Sequence, residues 1–131
     1  MNEEKVVNLI TKTIKLIQIK SVENSLVKLL STDLPIKTAY RLSKLAKSIK
    51  KELEHIEEFR VNLVKKHGTV DDKGNTNVTP ENLPAFNKDY SDLMNTECQV
   101  SFFEIKIHEL GDAKLSALDI LNIEGFTKEE E

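Results

Sequence analysis

The fold of this chain is decided by residues 34–68, LPIKTAYRLSKLAKSIKKELEHIEEFRVNLVKKHG. Pro35 is suited to the first position of a helix, and Gly68 is suited to the position that follows the last turn. Between them, apolar residues recur at steps of three and four, which places them along one side of an α-helix: Leu42, Ala46, Ile49, Leu53, Ile56 and Leu63. We therefore predict one amphipathic helix of about thirty residues, ~45 Å long.

Two shorter elements are predicted before the long helix. Residues 14–20 are rich in β-branched side chains and favour a strand, which a short helical or loose segment would precede. The same region also carries a helical spacing of apolar residues, at Val6, Ile10, Ile14 and Ile17. Ser21 is a good N-cap residue, so we predict a short helix over residues 21–31.

Four elements are predicted after the long helix. Turn residues at 72–75 favour a small hairpin or tight reversal within residues 69–78. A helix from Pro84 to about Asn95 would return antiparallel against the long helix as an αα-hairpin, with one apolar face: Phe86, Tyr90, Leu93 and Met94. Alternation over residues 100–108 predicts a strand with three inward side chains: Phe103, Ile105 and Ile107. Val100 and Phe102 lie on the other side, so the beginning of this strand is expected to be covered on both faces. A capping box at Ser116 and Asp119 predicts a short helix to about Asn122.

The expected architecture is therefore α+β and dominated by helix. It consists of the long helix with its antiparallel helical partner and a small β-sheet that joins the early strand to strand 100–108. At 131 residues the chain is long enough for one domain and short for two. We predict a single domain over residues 1–131, in which residues 1–13 form an N-terminal extension and residues 126–131 a frayed tail.

Composition narrows the class of protein. Hydrophobic residues make up 39% and charged residues 31% of the chain, which is typical of a soluble globular protein. A single cysteine, Cys98, excludes an internal disulfide framework and suits a reducing cytosol. No apolar run approaches the ~20 residues that span a bilayer, and the acidic start MNEEKVVN is unlike a secretory leader. We expect a soluble protein that does not enter a membrane.

Signals for catalysis, metals and cofactors are weak. The three histidines, His55, His67 and His108, have no metal-ligand spacing, so surface or cap roles are expected. Residues 71–74 do not match a calcium loop, because the third position is lysine and the glycine comes fourth. The chain has no phosphate-binding glycine loop, and Cys98 is interpreted as a small buried hydrophobe. We predict no enzyme, no metal and no cofactor.

One group of residues is a candidate binding site. Lysines and an arginine recur at steps of three and four on the first half of the long helix, with a tyrosine on the same side: Lys37, Tyr40, Arg41, Lys44, Lys47 and Lys51. These residues would form either a solvated face that aids solubility or a docking surface for an acidic partner. An acidic protein patch, a phosphate-bearing small molecule and nucleic acid all fit such a surface. The sequence pI near 5.7 argues against nucleic acid as the main ligand.

The order of motifs resembles that of a known family. The chain resembles a family of small proteins of unknown function in five successive features. These are Leu-Pro before a lysine-rich helix, the helix end KKHG, the reversal DDKGN, the strand VSFFEIKIHEL and the closing LSALDILNIE. These proteins are encoded by phages and prophages, mostly of low-GC Gram-positive bacteria. The likeness covers residues 14–125. It implies phage origin and no known enzymatic role, and it supplies no functional residues beyond the expectation that the Lys37–Lys51 surface belongs to the family pattern.

Two functional hypotheses follow. The first is a non-enzymatic phage accessory or structural protein that acts by protein–protein interaction in virion assembly, as a homo-oligomer, in the host cytoplasm or the virion. The length of the predicted helix favours it, because part of such a helix should pack on another helix or another copy. The alternative is a phage-encoded antagonist of host defence, which would bind a nucleotide signal or a host protein through the basic helix face.

Overall fold

The structure, a computed structural model, describes residues 9–111 and 113–128. Its elements in chain order are β1 (Leu9–Lys15), α1 (Leu16–Leu30), α2 (Ile36–His67), β2 (Gly68–Val70), β3 (Thr76–Val78), α3 (Leu83–Met94), β4 (Glu97–Phe103), β5 (Ile105–Lys106), α4 (Ala117–Ile123) and β6 (Thr127–Lys128). Short 3-10 turns lie at Ile107–Leu110 and Glu124–Phe126. The fold is α+β and helix-dominated, as predicted.

The long helix α2 ends where the sequence predicted, although both ends differ in detail. Pro35 is the N-cap residue and not the first helical residue, and its carbonyl accepts the Ala39 N–H at 2.9 Å. Gly68 has an extended backbone, with φ −98°, and opens β2 directly. A Cβ at Gly68 would collide with the Val64 carbonyl oxygen and lie 2.8 Å from the Thr76 side chain. Close packing is therefore the reason for a glycine at position 68.

The predicted antiparallel partner of α2 is confirmed, with the predicted β-hairpin (β2 and β3) between the two helices. The first turns of α3 pack against the end of α2: Phe86 contacts His67 edge-on, with ring centroids 6.3 Å apart. The next segment, β4, reaches a point much earlier in α2, where the Ser48 hydroxyl donates to the Ser101 carbonyl at 2.9 Å. The chain after Gly68 therefore runs back along α2.

The predicted boundary between the first strand and the first helix is wrong. The strand β1 ends at Lys15, and α1 begins at Leu16, five residues before the predicted start at Ser21. The Gln18 side chain accepts the Lys15 N–H at 2.8 Å and so caps the helix there. Of the β-branched residues that favoured a strand, Ile14 remains in β1, whereas Ile17 and Ile19 lie in α1. The 3.6-residue spacing of the helix buries one side of α1, which includes Leu16, Ile19, Val22, Leu26 and Leu29.

The predicted N-terminal extension over residues 1–13 also needs correction. Leu9 to Thr13 belong to β1, which pairs antiparallel with β4 from Phe103 to Gln99. The predicted sheet between the early strand and the later one is thus confirmed, but it begins several residues earlier. Residues 1–8 lie outside the described part of the chain.

The predicted inward face of the later strand is wrong at two of its three residues. Val100 and Phe102 are fully buried, whereas Phe103 and Ile107, which were predicted to point inward, are only half-buried. The reason is that the strand is not continuous: β4 ends at Phe103, and after a break at Glu104 the buried residue is Ile105. Counting through Glu104 as if it were strand therefore placed Phe103 and Ile107 inward, whereas Ile105 is buried as predicted.

The last segment belongs to the core and is not the frayed tail that was predicted. Phe126 is buried and meets the Phe102 ring edge-on, with centroids 4.8 Å apart. The short strand β6 then pairs parallel with β5. The capping box before α4 is confirmed, since Ser116 Oγ accepts the Asp119 N–H at 3.1 Å. Residues 129–131, the end of the predicted tail, lie outside the described residues.

Candidate interaction surface

The helix α2 has one side in the core and one side in solvent. Its buried residues lie along the side that faces α1, α3 and β4: Thr38, Leu42, Leu45, Ile49 and Ile56. Since each residue turns the helix by about 100°, residues three and four positions apart share a side. The side opposite the buried residues is covered by no other described element and carries the predicted site.

The structure places most of the predicted site residues on this solvent side. Lys37, Tyr40, Lys47 and Lys51 are exposed, and Tyr40 retains 57% of its accessible surface. Lys44 is half-buried because its side chain lies along Tyr40, with the ammonium nitrogen 5.4 Å from the centre of the ring. This geometry allows a cation–π interaction, which leaves both groups accessible to a partner.

Arg41 does not belong to the exposed group. It is half-buried at the flank of the helix, and its guanidinium Nη1 lies 3.4 Å from Glu109 Oε2 in the 3-10 turn after β5. Its partner is 68 residues further along the chain, and no local pattern reveals such a contact. The interpretation of Arg41 as part of the basic face therefore needs correction: this side chain contacts another part of the fold.

The exposed side continues beyond the predicted basic residues. Nine residues follow one another at steps of three and four along almost the whole helix, and we call them the α2 stripe: Lys37, Tyr40, Lys44, Lys47, Lys51, Glu54, Glu58, Val61 and Lys65. The first part is basic, the middle is acidic, and the stripe is ~42 Å long. Extending the lysine spacing past Lys51 would have revealed its acidic part, which the sequence analysis did not include in the site.

The charges of the α2 stripe have no partners within the described residues. In the described ranges, no ion pair or side-chain hydrogen bond involves Lys47, Lys51, Glu54 or Glu58. Off the stripe the same helix does pair its charges. The Glu57 carboxylate receives two hydrogen bonds from Arg60, at 2.6 and 2.9 Å. Several charged residues off the stripe are therefore paired, whereas the charges of the stripe are not paired within the described residues.

Reactive side chains in the structure are inert or already engaged. Burial, aided by the charge of Glu52, raises the pKa of the Cys98 thiol to about 11, which leaves little thiolate at neutral pH. His67 Nε2 lies 2.7 Å from Asp89 Oδ2, in a hydrogen bond that joins α2 to α3. Over residues 9–111 and 113–128, no three His, Cys, Asp or Glu side chains come together as a metal site would require.

A groove with a volume of about 390 Å³ lies between α1, β1 and the 3-10 turn that contains Phe126. Lys12 crosses one side of it: its ammonium donates to the Gly125 carbonyl at 3.3 Å and lies 5.8 Å from the centre of the Phe126 ring. The lining combines apolar residues such as Ile17 and Leu121 with scattered polar ones.

Comparison of the chain with protein-family models, with curated proteins and with solved structures finds no match. Among the helices of the described part, none is both long and apolar enough to cross a membrane. The α2 stripe is therefore interpreted from its own chemistry.

Proposed function

We propose that this protein is a phage accessory or structural protein that acts by binding other proteins in virion assembly, and not by catalysis. The observation that carries the proposal is the α2 stripe: a row of mostly exposed side chains whose charges have no ion-pair partners in the described chain. A row of this length on one helix presents a surface that another helix or an extended partner can follow. The phage assignment rests on the resemblance of the motifs in residues 14–125, and it places the protein in the host cytoplasm or the virion.

The state of the reactive groups supports a binding role. The Cys98 thiol has a raised pKa, and His67 is engaged by Asp89. Asp119, a buried carboxylate, is surrounded by donors from α1 and α4. Each of these groups is occupied in holding the fold together, whereas the α2 stripe contributes no ion pair among the described residues.

The experiment is affinity capture with proteins encoded by the neighbouring genes, each produced separately. The wild-type chain should retain at least one of them, and a Lys44→Glu/Lys47→Glu variant should lose it. A Lys73→Glu/Lys114→Glu variant is the matched control, because it makes the same change in charge at exposed positions away from α2. Retention of no neighbouring protein, or equal retention by the stripe variant, would overturn the proposal.

A second function, antagonism of host defence by capture of a nucleotide signal, is favoured by one local observation. Tyr40 is an exposed ring onto which a base could stack, and Lys37, Lys44 and Lys47 lie within one turn or two of it. Cyclic nucleotides and ADP-ribose should then raise the melting temperature of the wild-type chain but not of Tyr40→Ala. A melting temperature that none of these compounds changes would remove this alternative.

A further inference from the structure

The spacing of the α2 stripe is that of a helix–helix seam. Its nine residues advance strictly by three and four, which is the period that keeps one side of a helix facing a second helix over many turns. A helix face that contacts only solvent does not require its positive and negative charges to be grouped in separate segments. Here the sign changes from positive to negative in the middle of the helix, between Lys51 and Glu54, and returns to positive at Lys65.

The positions of the charges are complementary to those of the same stripe running in the opposite direction. If two copies of α2 cross antiparallel with the two-fold axis between Glu52 and Leu53, Lys51 lies opposite Glu54 of the other copy. In the same register Lys47 lies opposite Glu58 of the other copy. Because a two-fold axis repeats each contact, these two pairings give four contacts between opposite charges.

The ends of the stripe fit the same register. Lys44, whose apolar stem lies along Tyr40, comes opposite the half-buried Val61 of the other copy. Tyr40 comes opposite Lys65 of the other copy, where its exposed ring can receive a second cation. No residue of the stripe between positions 40 and 65 then meets a residue of like charge.

A parallel arrangement with the helices in register is disfavoured by the same charges. With the helices parallel and in register, Lys47 and Lys51 would face their own copies, as would Glu54 and Glu58. Like charges placed opposite each other across an interface are destabilising by several kcal/mol. An exclusively acidic partner would likewise satisfy the lysines but would meet repulsion at the glutamates.

We propose that two copies of this chain associate antiparallel through the α2 stripes as a weak, salt-sensitive dimer. This inference rests on the proposed function, because it names a second copy of this chain as the first protein that the α2 stripe binds. The seam is charged and contains little apolar surface, so the affinity comes from electrostatics and falls as salt screens it. Sedimentation equilibrium of the purified wild-type chain should show a dimer at low salt that dissociates as NaCl rises towards about 0.5 M.

A charge-exchange experiment tests the register directly. Variant A, Lys47→Glu/Lys51→Glu, makes the centre of the seam wholly acidic, and variant B, Glu54→Lys/Glu58→Lys, makes it wholly basic. Each variant alone should dimerise at least about 100-fold more weakly than the wild type, because attraction is replaced by repulsion. An equimolar mixture of A and B restores all four contacts and should form a heterodimer. The control Lys73→Glu/Lys114→Glu should dimerise like the wild type.

Three results would overturn the dimer: a wild-type chain that is monomeric at every concentration and salt, variants that dimerise as well as the wild type, or a mixture of A and B that stays monomeric. Melting curves by circular dichroism verify that each variant is folded. The assay contains only this chain, so its failure would leave the capture experiment with neighbouring proteins unaffected. Failure of that capture would equally leave a measured dimer standing.

The direction of the two helices is tested by disulfide trapping in a Cys98→Ser background. Lys47→Cys/Glu58→Cys should form an intermolecular disulfide under mild oxidation, since the two positions meet across the seam. Lys47→Cys alone should not, because the antiparallel register separates the two copies of position 47 by ~16 Å along the axis, beyond disulfide reach. Efficient cross-linking of Lys47→Cys alone would overturn the antiparallel arrangement.

Discussion

Two charged regions of this molecule differ in whether their charges are buried and hydrogen-bonded or exposed and unpaired. At the junction of α1 and α4, the Asp119 carboxylate is buried and accepts hydrogen bonds from every side. Ser25 Oγ donates to it at 2.8 Å, Lys28 Nζ lies 2.6 Å away, and the Ser116 N–H donates at 2.9 Å. On the α2 stripe, Glu58 is exposed and has no partner among the described residues.

The difference shows where charge stabilises the fold and where it remains available to a partner. Burying Asp119 is tolerated because its donors replace the water it loses, and the bonds tie together residues more than ninety positions apart. The Asn122 side chain extends the network by donating to Ser25 Oγ at 3.1 Å. Substitutions at this junction should therefore destabilise the folded protein. Substitutions in the stripe should change only the binding of the protein to other molecules or to its own copies.

The largest expected effect is that of Asp119→Ala. It removes the N3 member of the α4 capping box and the acceptor for Ser25 and Lys28, so the buried Ser25 hydroxyl loses its partner and the exposed Lys28 ammonium loses its ion pair. The melting temperature should fall by roughly 10 °C, measured by circular dichroism. Glu58→Ala is the matched control from the stripe. An equal effect of the two variants would abolish the contrast between the regions.

Ser25→Ala should have the next largest effect. Ser25 is fully buried and both donates to Asp119 and accepts from Asn122, so its loss leaves two polar groups short of one hydrogen bond each. The free energy of unfolding in urea should decrease by about 1–2 kcal/mol. Ser43→Ala is a suitable control, since the Ser43 hydroxyl bonds only to the Tyr40 carbonyl within α2. A larger loss for Ser43→Ala would contradict the network's role.

Local sequence predicted α2 and the cap of α4 well, because both depend on residues within one helix. The bounds of α2 could be predicted from local signals alone, namely Pro35, Gly68 and the apolar steps of three and four between them. The box of Ser116 and Asp119 was equally readable, yet the contacts of Asp119 with α1 could not be predicted from spacing. Sequence reasoning therefore identified the cap and missed the buried junction.

The failures arose where distant contacts decide between two local possibilities. The local pattern of residues 14–20 fits a strand and a helix equally. In the structure Ile14 pairs with Cys98 of β4, and the strand ends at Lys15. Arg41 shares the spacing of the lysines, but contact with Glu109 removes it from the exposed face. Four of the remaining basic-face residues are exposed as predicted, and the fifth, Lys44, is half-buried along Tyr40.

The two regions should also differ in their response to acid. The Lys28 ammonium, the Ser116 N–H and the Ser25 hydroxyl together hold the pKa of Asp119 well below its usual range, with Lys28 the largest cause. This stabilisation is fully present above the unfolded-state pKa of about 3.9 and is lost as pH falls below it towards the pKa of the folded state. Stability to urea should thus fall between about pH 5 and pH 2.

The variant Asp119→Asn identifies the source of that acid sensitivity. It should be less stable than the wild type at neutral pH, and its stability should change less over the acidic range. Asp89 contributes in the same direction, because His67 and Lys66 lower its pKa, so some acid sensitivity will remain. Asp72→Asn, at an exposed turn, should keep the wild-type profile. A profile of Asp119→Asn parallel to that of the wild type would contradict the assignment.

The smallest expected effect on folding is that of the stripe itself. Lys47→Ala and Glu58→Ala remove exposed side chains that make no ion pair in the described chain, so each should shift the melting temperature by less than about 2 °C when measured on dilute, monomeric protein. The same variants should weaken self-association, since each removes two of the four opposite-charge contacts across the two-fold axis. A stripe variant that melts far below the wild type while monomeric would show that these charges serve the fold. The junction and the stripe would then no longer differ in purpose, and the case for a docking surface on α2 would be lost.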